Sequence, residues 1–511
     1  MMKKMFRTPK SRVRYLLLGL SMTATIASVP PARADGTPPS GAAKAFTSTD
    51  PVVVQARGLY ADGHFADAER LIQAAPAGGD ADGRTDMLEV IRRRRMEYSL
   101  DEVGLLAKVR RALPDATAAD VQRWIAAGDV QTRTIDGKVC IFSREPQNLF
   151  LFGQEAKRLK ADRQPPAAVG GWTLEEHLGR VVAEAERTGK TEVTPVKHRV
   201  TFTLTVPAGT KGIKAGSVLK VWLPMVQEYR QQRDVKLLGT TPSYTLLAPT
   251  AVDGHPIAGT PQRTVYFEKT VEDPAKDQVF RTEFEYTSYA YYPVLSDEKA
   301  RPVPADFPSE YLAERPPHIV FTPEVKALAA QIVGTETTPL ARARKIFHWV
   351  SDNIPWNAEE EYCATPSIVT QALQRRRGDC GVQSITFQTL CRAAGIPTRW
   401  QSGWETKPAK SSMHDWCEIY LAPWGWLPCD PSYGVQRAST DPRVRDFYLG
   451  HQDSYRMIFS LDYGRDLVPP KKTLRSEPLD FQRGEVELDG RNLYFDEWDY
   501  DCLWATDPKG I

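Results

Sequence analysis

Cys380, His414 and Asp430 are residue types that together can carry out nucleophilic acyl chemistry, and each stands in the local setting its part requires. Arg377-Gly378-Asp379-Cys380-Gly381 leads into Val382 to Ala394, where Val382, Ile385, Phe387, Leu390 and Ala393 supply apolar positions at helical spacing. Asp379 suits the N-cap of that helix. A thiol at a helix N-terminus faces unpaired backbone N–H groups and the positive end of the helix dipole. The thiolate, the nucleophilic form, is therefore expected to be favoured.

His414 to Leu421 alternates as a strand does, Ala422 to Gly425 reads as a turn, and Trp426 to Asp430 reads as the returning strand. Such a hairpin brings His414 close to Asp430. The imidazole can then take the thiol proton while the carboxylate fixes its tautomer and orientation. Singly, a cysteine at a helix start is more often a small core residue, and a histidine on a strand a structural side chain. The argument rests on the three together.

These residues and their surroundings resemble the transglutaminase-like superfamily, whose members share a papain-like catalytic arrangement. The resemblance runs from Ala341 to Gly434. It covers Trp349-Val-Ser-Asp-Asn-Ile-Pro355, Arg377-Gly-Asp-Cys-Gly381, Cys391-Arg-Ala-Ala-Gly-Ile-Pro-Thr-Arg399, Ser402-Gly403-Trp404, His414-Asp-Trp416 and Gly425-Trp426 through Asp430-Pro431. It implies Cys380 as nucleophile, His414 as base and Asp430 as the orienting carboxylate.

Attack by such a thiolate on an amide or acyl carbonyl gives a thioester, and the acceptor sets its fate. Water makes the enzyme a peptidase or amidase; a lysine amine makes it a transglutaminase. The backbone N–H of Cys380 is a natural oxyanion donor. Trp356, Tyr362 and Gln374 are open candidates for the second, and Trp400, Trp404, Trp416, Trp424 and Trp426 either line a substrate groove or fill sheet core. No acidic loop has calcium-ligand spacing, and the eight histidines are scattered, so no cofactor or metal is expected. The favoured reading is a hydrolase of peptide or isopeptide bonds. The rival is a catalytically silent binding or assembly module of the cell envelope that keeps the fold, with the helical and sandwich regions as its working parts.

The first 34 residues have a basic start, a largely apolar run from Tyr15 to Val29 and Ala32-Arg33-Ala34 as a cleavage site, the pattern of a signal peptide. An exported, periplasmic or extracellular protein without stable membrane insertion is expected. Removing that segment's seven basic residues takes the formal net charge of +2 to −5. A mildly acidic chain is not built to bind nucleic acid, and its partner is expected to be a peptide or protein substrate. Its oligomeric state is open. The one basic run that might argue otherwise, Arg92 to Arg95, reads as a solvated helix face. Cys417 and Cys429 fall opposite each other across the hairpin turn, on the face away from His414 and Asp430, so a cross-strand disulfide is expected, with two buried free thiols as the alternative.

The elements that must position this site point to a multidomain α+β chain. A signal peptide (1–34) and a linker (35–50) precede a helical, winged-helix-like accessory region (51–165), whose turn at Asp62-Gly63 suggests a single tetratricopeptide-type hairpin. Ser99 and Glu102 suggest a capping box, and Asp136-Gly137 a hairpin. An antiparallel β-sandwich (191–300) follows, with strands expected at His198 to Val206, Ser217 to Leu223, Arg263 to Val271 and Val279 to Thr287. The transglutaminase-like, papain-like α+β catalytic domain is placed at 318–450. Residues 451–511 are expected to be a β-rich extension packed on it.

Overall fold

The computed structural model describes residues 44–163, 172–250, 261–408 and 411–507. The signal-peptide segment lies outside them. Within the segment expected as linker, Lys44–Thr47 is already helical. Next come helices α1 (Pro51–Ala61), α2 (Phe65–Ala74), α3 (Ala81–Glu97), α4 (Glu102–Val109) and α5 (Ala118–Ala126), then the hairpin β1 (Thr132–Ile135) and β2 (Lys138–Ile141). Asp50 caps α1 by accepting the Val52 N–H at 2.8 Å, and Pro51 takes the first helical position, where a missing N–H costs nothing. The α1–α2 turn bends at Gly63, at φ +85°, where a Cβ would sit 2.3 Å from the Thr134 carbonyl oxygen. The cap of α4 is Asp101, which accepts from Gly104 N–H at 2.7 Å; the Ser99–Glu102 capping box does not form.

Helix α6 (Leu174–Thr188) leads into β3 (Glu192–Val206), β4 (Val218–Pro224), β5 (Gln232–Thr241), β6 (Leu246–Leu247), β7 (Thr264–Thr270) and β8 (Gln278–Tyr291). After a proline-rich passage come α7 (Pro323–Val333), α8 (Pro339–Asn353), α9 (Ile368–Arg375) and α10 (Cys380–Ala393). The strands β9 (Thr398–Thr406), β10 (Ser411–Leu421), β11 (Gly425–Cys429), β12 (Arg456–Ser460), β13 (Glu485–Leu488), β14 (Arg491–Leu493) and β15 (Asp499–Asp507) complete the order. Among the described residues no helix is long and apolar enough to cross a membrane.

Two antiparallel sheets, ordered β15-β3-β8-β5 and β14-β13-β4-β7-β6, share a core that includes Phe202, Leu204, Val221, Phe267, Phe280 and Phe284. The strand periodicity supplies this directly, since alternate residues of β3 and β8 are buried. A third sheet, β11-β10-β9-β12, packs against α10, which is buried along most of its length.

Residues 451–507 are β-rich and join the catalytic sheet, as expected, but they also complete the two sheets before it. β15 pairs with β3 through nine residue partners, β13 pairs with β4, and β12 pairs with β9. The tail thus closes all three large sheets. The close fit of β12 depends on Gly403, where a Cβ would stand 1.7 Å from the Met457 carbonyl oxygen.

Arg92 to Arg95 is a solvated face only in part: Arg92 and Arg95 reach solvent, and the two between them do not. Arg93 and Arg94 are 0% and 1% exposed. Arg94 pairs with Glu360 and, at 3.1 Å, with Glu97, while its guanidinium donates to the Ala364 carbonyl. Arg93 pairs with Glu89 at 2.8 Å and lies over the Tyr494 ring. Glu360 also receives Arg375 at 3.0 Å and Gln131 at 3.1 Å. Asn148 clasps the backbone of Ala358 from both sides, at 2.8 and 2.9 Å. The helical region therefore grips residues 358–364, the stretch that precedes the Cys380 helix.

Breaking a buried ion pair leaves an uncompensated charge and costs about 3–5 kcal/mol, against about 0–1 kcal/mol for an exposed pair. Arg94→Ala is accordingly expected to destabilise the protein by about 3 kcal/mol. Arg95→Ala, whose ion pairs with Glu69 and Asp136 are part-exposed, is expected to cost under about 1 kcal/mol. Denaturant melts of the two variants check this; equal costs would contradict the structural reading.

Candidate active site

Helix α10 begins at Cys380, and Asp379 caps it, its side chain accepting from Val382 N–H at 3.1 Å. Cys380 is thus the first helical residue, among the N–H groups that lack an intrahelical acceptor. Gly378 precedes the cap where a Cβ would collide with Val382, at 2.1 Å from its Cγ1. Strand β10 crosses this helix end at residues 414–415: Ser384 Oγ donates to the Asp415 carbonyl at 3.3 Å, and Cys380 Sγ contacts Asp415 Oδ2 at 3.6 Å.

The hairpin β10–β11 has the anticipated register, with Cys417 opposite Cys429. It places His414 and Asp430 in direct contact, Nε2 to Oδ2 at 2.7 Å, both buried. The ring is held from several sides. Trp416 stacks on it at 5.8 Å between centroids, and Tyr433 meets it edge-on at 5.3 Å.

Asp430 is satisfied on both oxygens. Oδ1 accepts the backbone N–H groups of Ser432 and Tyr433, each at 3.1 Å, and Oδ2 faces both His414 and Arg456 Nη1, the latter at 2.8 Å. Burial alone would raise its pKa, but His414 and Arg456 outweigh that and hold it below the usual carboxylate range. An ionised Asp430 at Nε2 keeps the proton there and leaves the Nδ1 lone pair for a thiol. Arg456 is in turn anchored by Asp453 at 3.0 Å and lies over the rings of Trp416, Tyr433 and Tyr448. Both Asp453 and Arg456 lie beyond the 318–450 boundary set for the catalytic domain.

The resting thiol differs from expectation. Burial above all, with the Asp379 carboxyl adding to it, pushes Cys380 well above the ordinary thiol range. One helix N-terminus does not offset desolvation beside acids. Its hydrogen-bond partner is Asp415, not His414. Asp379 is itself pushed up to about 7 by burial and by Glu359, although Tyr362 Oη donates to it at 2.5 Å.

That contact assigns Tyr362, one of three open oxyanion candidates, to the helix cap. Gln374 is exposed on α9, and Trp356 is 41% exposed on the loop before it. Trp400, Trp404 and Trp416 are buried, with Trp404 Nε1 donating to the Gln482 carbonyl at 3.0 Å and Trp416 Nε1 to Gln401 at 2.6 Å, so these three are core and not groove. Cys417 and Cys429 are free thiols. Cys417 Sγ donates instead to the Cys429 carbonyl at 3.3 Å, a geometry that packs the hairpin without a bridge.

Sequence reasoning missed Asp415, Arg456, Tyr433 and Gln482. Asp415 was visible as the residue between His414 and Trp416. Tyr433 follows Asp430 by three residues and was equally in view, whereas Arg456 and Gln482 depend on chain segments meeting from a distance, and nothing local marks them.

Residues 326–431 match the transglutaminase-like superfamily, so the chain carries a transglutaminase-like domain. An uncharacterised protein of Haemophilus influenzae is 32% identical over 146 residues, which cover 24% of this chain; the match spans 39% of that relative's length. Among solved structures, a candidate cysteine protease from Cytophaga hutchinsonii aligns at 14% identity, over 61% of this chain and 90% of that one, with a TM-score of 0.39. The periplasmic domain of TgpA from Pseudomonas aeruginosa aligns at 16% identity, over 52% and 95%, with a TM-score of 0.24.

Proposed function

We propose that Cys380, His414 and Asp430 form an acyl-transfer triad, and that the chain is an exported cysteine hydrolase of peptide or isopeptide bonds. The observation that carries this is the buried His414–Asp430 contact, on the strand that crosses the helix end bearing Cys380. His414 Nδ1 takes the thiol proton as sulfur attacks the carbonyl; a thioester forms and the protonated imidazole returns its proton to the leaving amine. Water, activated by the same imidazole, then releases the acid. Asp430 keeps the ring oriented and stabilises the imidazolium. Export rests on the sequence of the first 34 residues.

A second reading, a silent envelope module, draws support from the half-buried thiol beside Asp415 and Asp379, which is held above the ordinary thiol range. Turnover of short acyl peptides with and without an added primary amine, read by mass spectrometry, separates the possibilities. The expected product is the free acid. A predominant amine adduct would make the protein a transamidase. No turnover, with Cys380 no more reactive to a thiol probe than the half-buried Cys140, would favour the module.

A further inference from the structure

Asp415 has no part in the triad, yet it is the side chain that Cys380 sulfur touches. It is 2% exposed, and its two oxygens are differently employed. Oδ1 accepts from Gln482 Nε2 at 2.7 Å, and the same amide donates to the His414 carbonyl at 2.9 Å, which locks carboxyl and histidine strand together. Oδ2 lies 3.6 Å from Cys380 Sγ. The space between helix and carboxyl is kept clear by Gly381, where a Cβ would come within 2.1 Å of Tyr362 Oη and 2.8 Å of Asp415 Oδ2.

The groups that act most strongly on Asp415 are acidic or neutral. Asp480 and Glu477 come from the segment before β13, Asp379 and Cys380 from the start of α10, and Tyr362 from the turn before α9. Arg483 is engaged by Glu477 and, at 2.7 Å, by Glu361. Burial first, then Asp480 and Asp379, push Asp415 well above the usual carboxylate range, which favours its neutral, hydrogen-donating form. With Oδ1 held as an acceptor by Gln482, the proton resides on Oδ2, the oxygen that faces sulfur.

We infer that Asp415 is a catalytic residue that donates its Oδ2 hydrogen to the Cys380 sulfur once His414 has removed the thiol proton, an inference that rests on the reading of Cys380 as nucleophile. The thiol proton moves to His414 Nδ1, and the sulfur electron pair goes on to form the S–C bond. The Asp415 proton stays on Oδ2 throughout. A hydrogen bond to a charged acceptor is roughly twice as strong as one between neutral groups, so this donor favours the thiolate over the thiol.

The test is the pH dependence of Cys380 alkylation by iodoacetamide in the full chain, mapped peptide by peptide, for wild type, Asp415→Asn and Asp415→Ala. Gln482 requires an acceptor, so the asparagine oxygen takes the Oδ1 place and its NH2 faces sulfur. Asp415→Asn should hold the midpoint and keep neutral-pH labelling within about threefold, whereas Asp415→Ala should lose the donor and raise the midpoint by about one pH unit, a tenfold loss of labelling. Were Asp415 an anion, removing its charge would lower the midpoint in both variants, and that result overturns the inference; so does an unchanged midpoint in Asp415→Ala. If the alanine variant does not fold, the asparagine variant decides by sign alone. Alkylation that follows the expected pattern in a wild type devoid of acyl transfer would overturn the nucleophile reading and the catalytic role with it.

Discussion

Replacing Cys380 by alanine is expected to lower acyl-transfer turnover by at least about 10⁴-fold, to the level that binding alone sustains, while leaving the thermal melt almost unchanged. The two halves of this result have separate causes. Sulfur is the only atom lost, and nothing else at the helix end can form the thioester. The side chain is half-buried and its one hydrogen bond is a long thiol contact, so its removal changes packing by under about 1 kcal/mol. The Asp379 cap, which holds the helix start, stays in place. Turnover of an amide substrate and the melt, measured on the same preparation, check both halves, and retained turnover would remove Cys380 from the chemistry.

Asp430→Asn should be nearly as damaging, by up to about 10⁴-fold, for a reason the hydrogen bonds make specific. Asp430 offers one oxygen to the N–H groups of Ser432 and Tyr433 and the other to His414 and Arg456. An amide has one acceptor. If its oxygen stays with the backbone donors, its NH2 faces His414 Nε2, which puts the lone pair there and the proton on Nδ1. The base is then on the wrong nitrogen, and Arg456 has lost half its countercharge. Residual turnover should rise with pH as hydroxide replaces the imidazole as base. A kinetically silent Asp430→Asn would mean that another group orients the histidine.

What the sequence conveyed and what it withheld divide along the range of the forces involved. The α10 cap, its helix and the β10–β11 register were legible because each is set by residues close in sequence: Asp379 three before Val382, and an apolar–polar alternation about a short turn. The strands β3, β4, β7 and β8 announced themselves the same way. β5 did not, since Gln232 to Thr241 is largely exposed and lacks a sustained apolar alternation. Arg94 was misread because the partner that buries it, Glu360, is 266 residues away. The tail's place in the two earlier sheets was missed for the same reason: β15 has no local sign that its partner is β3.

The site shows the same division in its electrostatics. A helix N-terminus is a local feature and suggested an ionised thiol, but burial opposes it, and the state of the Asp415 carboxyl beside the sulfur is set by Asp480 and Glu477 from the tail. Arg456, which holds Asp430 ionised, likewise comes from β12. Local sequence therefore singled out Cys380, His414 and Asp430, whereas the charges around them come from segments that meet only in the fold.

The most direct test of the account is to trap the acyl-enzyme. The full chain is mixed with an activated acyl ester, quenched in acid within the first turnover and mapped by peptide mass spectrometry. The prediction is one acyl group on the Cys380 peptide, released by hydroxylamine and absent in Cys380→Ala and His414→Ala. Turnover with no acyl group on that peptide, or with the acyl group on another residue, would contradict it.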